Sequence, residues 1–115
     1  MRQFRVAGTP VPKQSFRVNG HGGYRDPRVT AWQELVAWQG RIAMGPDPPL
    51  GGALRVRLEF VLPTKRRVDC DNLAKGVEDA LNGIVWLDDH QIVSLTITKC
   101  VGASPGVTIT IEEIP

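Results

Sequence analysis

Nine consecutive residues, Leu54 to Leu62, constrain the fold more than any other stretch. Leu54, Val56, Leu58, Phe60 and Leu62 alternate with Arg55, Arg57 and Glu59. Successive side chains of an extended strand point to opposite faces, so five apolar groups fall on one side and the charges on the other. A strand of this kind needs an apolar layer over one face only. Two helical patterns can supply it. Asp26-Pro27 is a strong helix start, because Asp caps exposed N–H groups and Pro at the first helical position has no N–H to lose. From Pro27 to about Met44, the residues Val29, Trp32, Leu35, Val36, Gln39, Ile42 and Ala43 share one broad arc, Trp38 falls off it, and Gly45-Pro46 ends it. The second pattern, Leu73, Val77, Ala80, Leu81 and Ile84, is an apolar helical stripe that stops at Asn82-Gly83.

Gln3 to Ala7, Val93 to Thr98 and Val107 to Ile111 alternate as well, and the loop from Val101 to Gly106 predicts that the last two strands form an antiparallel hairpin. The element order is strand, helix, strand, helix, strand, strand. This is an α/β chain with a small mixed sheet of about four strands and two main helices packed mainly on one side. At 115 residues it reads as one domain spanning 1–115. The start of the chain carries no apolar run of signal-peptide length, and no uncharged apolar stretch approaches the ~20 residues of a membrane span. The expectation is a cytoplasmic protein with no membrane partner. Cys70 and Cys100 fit neither a disulfide framework nor a paired zinc-ligand pattern.

Charge is divided unevenly along the chain. Residues 1–67 hold 12 Lys/Arg against 4 Asp/Glu, whereas residues 68–115 hold 2 against 8. A basic half suits a polyanion such as nucleic acid, and an acidic cluster suits a divalent cation held against it. Alternatively, the opposite charges simply meet in the fold. Lys13, Arg17 and Arg25, with Phe16 and Tyr24, flank the Gly-rich stretch 19–23, a loop able to lie along a phosphate backbone. A second basic run, Lys65-Arg66-Arg67, leads directly into Asp69.

Asp69 and Asp71 stand at i and i+2 ahead of the second helix, where an extended segment points both to one side. Asp88-Asp89 follow that helix. Brought together, these four acids supply the hard oxygen ligands that Mg²⁺ prefers. His21 and His90 are isolated, so no zinc set is present. Lys75 lies between Asp71 and Asp79 on one helix face, one turn from a metal carboxylate, where an ammonium can stabilise a phosphoryl transition state. Each residue also has a plainer role open to it: Asp69 or Asp71 as helix cap, Asp88-Asp89 as a turn, Lys75 as a surface ion pair.

The run Asp69-Cys70-Asp71-Asn72-Leu73-Ala74-Lys75, followed by Asp79 to Trp86 and by Asp88-Asp89-His90-Gln91-Ile92-Val93, resembles the RusA family of Holliday junction resolvases. The likeness is continuous over roughly residues 66–93, with weaker support from Pro12-Lys13, Arg17 and the closing strands. It implies a small α/β homodimer, bacterial or phage-encoded, that makes paired nicks in four-way or other branched DNA using Mg²⁺ or Mn²⁺ in recombination and repair. By that resemblance Asp69, Asp71 and Asp89 are the metal-binding catalytic acids and Lys75 the essential cation. Asp88 and Asp79 stand behind them, and Lys13, Arg17, Lys65, Arg66 and Arg67 contact DNA. Two rival readings are a non-catalytic branched-DNA-binding module and a small-nucleotide phosphohydrolase.

Overall fold

The alternation at residues 54–62 is realised as a strand, β2 (Leu54–Leu62), in the computed structural model, which describes residues 1–13 and 26–115. Its five apolar side chains are no more than 3% exposed, while Arg55, Arg57 and Glu59 face solvent. Strands β1 (Arg2–Ala7), β3 (Ile92–Val101) and β4 (Gly106–Glu113) complete a mixed sheet in the order β1-β4-β2-β3. Helices α1 (Pro27–Met44) and α2 (Cys70–Leu81) pack over the face carrying Val6, Val56, Leu58, Phe60, Ile109 and Ile111. The α/β architecture expected from the sequence is therefore present.

The expected hairpin is not. β4 pairs antiparallel with β1 and β2, and β3 pairs parallel with β2 alone. Alternation decides which face a side chain takes, but not which strand lies next to it. β2 has the most completely buried face and takes a central place, which leaves β3 and β4 about 10 Å apart on either side of it. Residues 102–105 bridge that gap, fastened by Gly102 N–H to the Leu62 carbonyl at 3.0 Å and by Gly8 N–H to the Pro105 carbonyl at 3.1 Å. α2 is the crossover that joins the parallel pair β2 and β3, as parallel strands require.

α1 begins as its sequence predicts, with Asp26 Oδ1 accepting from Arg28 N–H at 2.9 Å and Pro27 in the first turn. It buries a narrower stripe than expected. Trp32, Val36, Gly40 and Met44 are buried at a strict four-residue spacing, while Leu35 and Ile42 join Trp38 in being largely exposed. Gly40 explains the difference. A Cβ there would lie 2.6 Å from Leu81 Cδ2 and 3.3 Å from Val85 Cγ2, so α1 seats on the end of α2 along one ridge and its flanks stay uncovered. Gly45 (φ 56°), the C-cap of α1, and Gly83 (φ 82°), one residue past the Asn82 C-cap of α2, take positive φ as the chain leaves each helix, which residues with a side chain adopt at a cost. No helix among the described residues is long and apolar enough to cross a membrane. Both cysteines are free thiols. The loop expected to hold Arg17 lies outside the described residues.

Candidate active site

α2 carries the acids because its burial is one-sided. Leu73, Ala74, Gly76, Val77 and Leu81 face the core, which turns Asp71 and Lys75 to solvent. The chain enters α2 from an anchored point. Val68 is buried, and its carbonyl accepts from the Lys99 ammonium of β3. Lys99 sits beside Phe60 in the strand register, on the helix-covered face, so a cation at an inward position was the sequence signal for this anchor. Asp69, the next residue, is the N-cap of α2, yet its carboxylate makes no capping hydrogen bond. The side chain stays available at a helix N-terminus, where negative charge is favoured.

The two acids before the last strands diverge. Asp88 Oδ1 accepts from His90 N–H at 3.1 Å and lies 3.1 Å from His90 Nδ1, and Asp88 N–H donates to Gln91 Oε1 at 2.8 Å. These bonds cap a single 3₁₀ turn, Asp89–Gln91, and the backbone hydrogen bond from His90 holds the Asp88 carboxyl below its ordinary range. Asp88 is thus the turn residue that one sequence reading allowed. Asp89 is half-buried, with Oδ1 accepting from Trp86 Nε1–H at 2.6 Å. Burial pushes its carboxyl up, the indole bond opposes that, and the charges of Asp79 and Asp88 add to the rise.

Asp79 shares this end of the face. Its carboxylate pairs with the ammonium of Lys13, whose backbone N–H also donates to the Asn72 carbonyl at 3.0 Å. Lys13, expected to reach DNA, is held along α2 by these two contacts. Lys75 forms no ion pair among the described residues, so the surface salt bridge considered for it does not form. Glu78, which the sequence pattern did not single out, is half-buried beside these acids. Burial raises its carboxyl first, then the negative charges of Asp89 and Asp79. Seven residues after Asp71, it returns to within about 20° of the same line along the helix, and that spacing was the available signal.

Asp71 and Asp79 are ~12 Å apart along the helix axis at 1.5 Å per residue, with Lys75 midway. Among the described residues no three His, Cys, Asp or Glu side chains are gathered so as to hold a metal ion. The acids expected to converge on one point therefore form an extended acidic face along α2, with Asp69 and Asp71 at its start and Asp79, Glu78 and Asp89 towards its end. The donor set still suits a hard cation such as Mg²⁺: it is all carboxylate, and Asp69 is not spent on capping. Lys65, Arg66 and Arg67 are exposed just ahead of it.

A run of carboxylates with one lysine among them, preceded by an exposed basic loop on a small α/β sheet, suits a hard cation held against a phosphate. Residues 7–112 match the family model described as endodeoxyribonuclease RusA, and the chain belongs to that family. It is 29% identical over 107 residues to the crossover junction endodeoxyribonuclease RusA of Aquifex aeolicus (strain VF5), covering 90% of this chain and 84% of that protein. It is 37% identical over 109 residues to the crossover junction endodeoxyribonuclease rusA of Enterobacteria phage 82, covering 91% and 88%. An uncharacterized protein of Bacillus subtilis (strain 168), YqaN, is 30% identical over 141 residues, 97% of this chain and 96% of its own.

Proposed function

We propose that this protein resolves four-way DNA junctions by cation-dependent hydrolysis of one phosphodiester in each of two opposed strands. The observation that carries the reading is the outward face of α2, where Asp69 is free of any capping role and Asp71 and Lys75 stand in solvent. Asp69 and Asp71 would offer ligands to Mg²⁺ at the start of that face and Asp89 would offer one at its far end, with Mn²⁺ as a substitute. When bound, the cation neutralises the phosphate and makes the attacking water more acidic.

The chain's own residues do the rest. Lys65, Arg66 and Arg67 draw the backbone towards the acids, where charge repulsion would otherwise keep a phosphate away. Lys75 places a positive charge beside the scissile phosphate, where negative charge grows in the transition state. Water oxygen bonds to phosphorus as the bond to the 3′ oxygen breaks, leaving a 5′-phosphate and a 3′-hydroxyl that a ligase can rejoin. A homodimer accounts for two cuts, because a two-fold assembly presents one such face to each of two symmetry-related strands.

A synthetic four-way junction, incubated with Mg²⁺ and separately with EDTA beside a linear duplex of the same sequence, tests this. Paired, ligatable nicks in the junction with Mg²⁺ alone are expected. Junction binding without cleavage in either Mg²⁺ or Mn²⁺ would make the chain a binding module. Hydrolysis of free nucleotides without salt-dependent junction binding would make it a small-nucleotide phosphohydrolase.

A further inference from the structure

Trp86 is completely buried, yet it is the residue that reaches Asp89. Its backbone is fixed on both sides. Gly83 N–H donates to the Trp86 carbonyl at 2.7 Å, closing the turn after α2. Leu50 N–H donates to the Val85 carbonyl at 2.8 Å, and Leu87 N–H donates to the Leu50 carbonyl at 3.2 Å, so the residues flanking Trp86 are stitched to the connector ahead of β2. The turn carrying Asp89 is fastened to that same connector. Gln91, the one buried polar residue among those described, donates from Nε2 to the carbonyls of Leu50 at 2.9 Å and Gly52 at 2.8 Å. Donor and acceptor are therefore both built into one rigid unit.

The bond is directional. It occupies Asp89 Oδ1 at 2.6 Å, a close contact, and Oδ2 has no hydrogen bond among the described residues. A carboxylate that is free to rotate presents either oxygen, whereas one tied through Oδ1 presents the other. We infer that Trp86 is a positioning residue for cation binding: its indole N–H holds the Asp89 carboxylate through Oδ1 and leaves Oδ2 to meet the cation. This rests on the reading of Asp89 as a cation ligand. The core contributes a donor here, and Trp86 acts through its N–H as well as its bulk. Partners that orient metal carboxylates are typically worth ~10–100-fold in metal affinity or activity.

The test compares the full-length wild-type protein with Trp86→Phe, with Asp89→Asn, and with a protein in which Trp86 is replaced by β-(3-benzothienyl)alanine, which keeps the bicyclic volume but has sulfur in place of N–H. Mn²⁺ binding is followed by the electron paramagnetic resonance of the free ion, junction affinity is measured in EDTA, and cleavage is titrated against Mn²⁺. The expected result is a ~10–100-fold weaker Mn²⁺ affinity for the benzothienyl protein and for Trp86→Phe, with junction affinity unchanged and cleavage recovered at high Mn²⁺. If Trp86→Phe does not fold, the isosteric replacement decides. Wild-type Mn²⁺ affinity in the benzothienyl protein overturns the inference, as does a parallel loss of junction affinity, which would mark Trp86 as a packing residue only. Wild-type Mn²⁺ binding and cleavage in Asp89→Asn would instead overturn the reading of Asp89 itself.

Discussion

Glu78 shows what the acidic face costs the fold. Its carboxyl is half-buried beside Asp79 and Asp89, and burial and their charge raise its proton affinity above that in the unfolded chain. A raised acid penalises the folded state wherever it must be ionised, so the penalty is complete above the folded value and vanishes below the ordinary value of about 4.3. Glu78→Gln should therefore raise the melting temperature at pH 7 in EDTA, and the gain should disappear as the pH falls to 4. A gain that is the same at both pH values would show that the charge is not the cause. The neighbouring pair Asp88-Asp89 shows how far such detail can be read in advance. Two identical residues in sequence become a turn cap and a half-buried ligand candidate, because only the fold decides that Trp86 lies under one and His90 beside the other. The residue types at Asp69, Asp71 and Lys75 were legible as a pattern. The capture of Lys13 by Asp79 was not, since the two are 66 positions apart.

At the scale of elements, the contact between α1 and α2 depends on the absence of a side chain at Gly40. Ala in place of Gly inside a helix is favoured by about 1 kcal/mol, but inserting a methyl into a packed core costs about 1–3 kcal/mol. Leu81 is fully buried and the added Cβ would lie 2.6 Å from its Cδ2, so the second effect wins. Gly40→Ala should destabilise the protein by about 1 kcal/mol in urea unfolding, and stabilisation would contradict this packing. The same contact explains why the broad apolar arc of α1 was legible and its true buried stripe was not. Hydropathy reports which residues could be covered, whereas the glycine that brings the helices together fixes which ones are. Strand identity followed directly from alternation, but strand order did not. The insertion of β2 between β3 and β4 depends on its fully apolar face and on the loop 102–105, and neither enters a pattern of period two.

For the whole molecule, the separation of charge along the chain becomes an exposed basic loop set directly ahead of an acidic helix face. If Lys65, Arg66 and Arg67 contact phosphates, removing each should lower the slope of log affinity against log salt for a four-way junction by about 1. Lys13→Ala should leave that slope unchanged, because its ammonium is engaged by Asp79. An equal fall for Lys13→Ala would place it on the DNA instead. If the proposed paired nicks are made by a two-fold assembly, sedimentation of the protein should show two chains of 12.6 kDa each. The most direct measurement takes Asp71→Asn and follows junction cleavage and junction binding in the same samples with Mg²⁺. Cleavage should fall by at least ~100-fold, the scale on which losing the cation that stabilises transition-state charge is felt, while binding is kept or strengthened because a negative charge facing DNA has gone. Cleavage at the wild-type rate by the folded variant would mean that the face of α2 is not where the phosphodiester is broken.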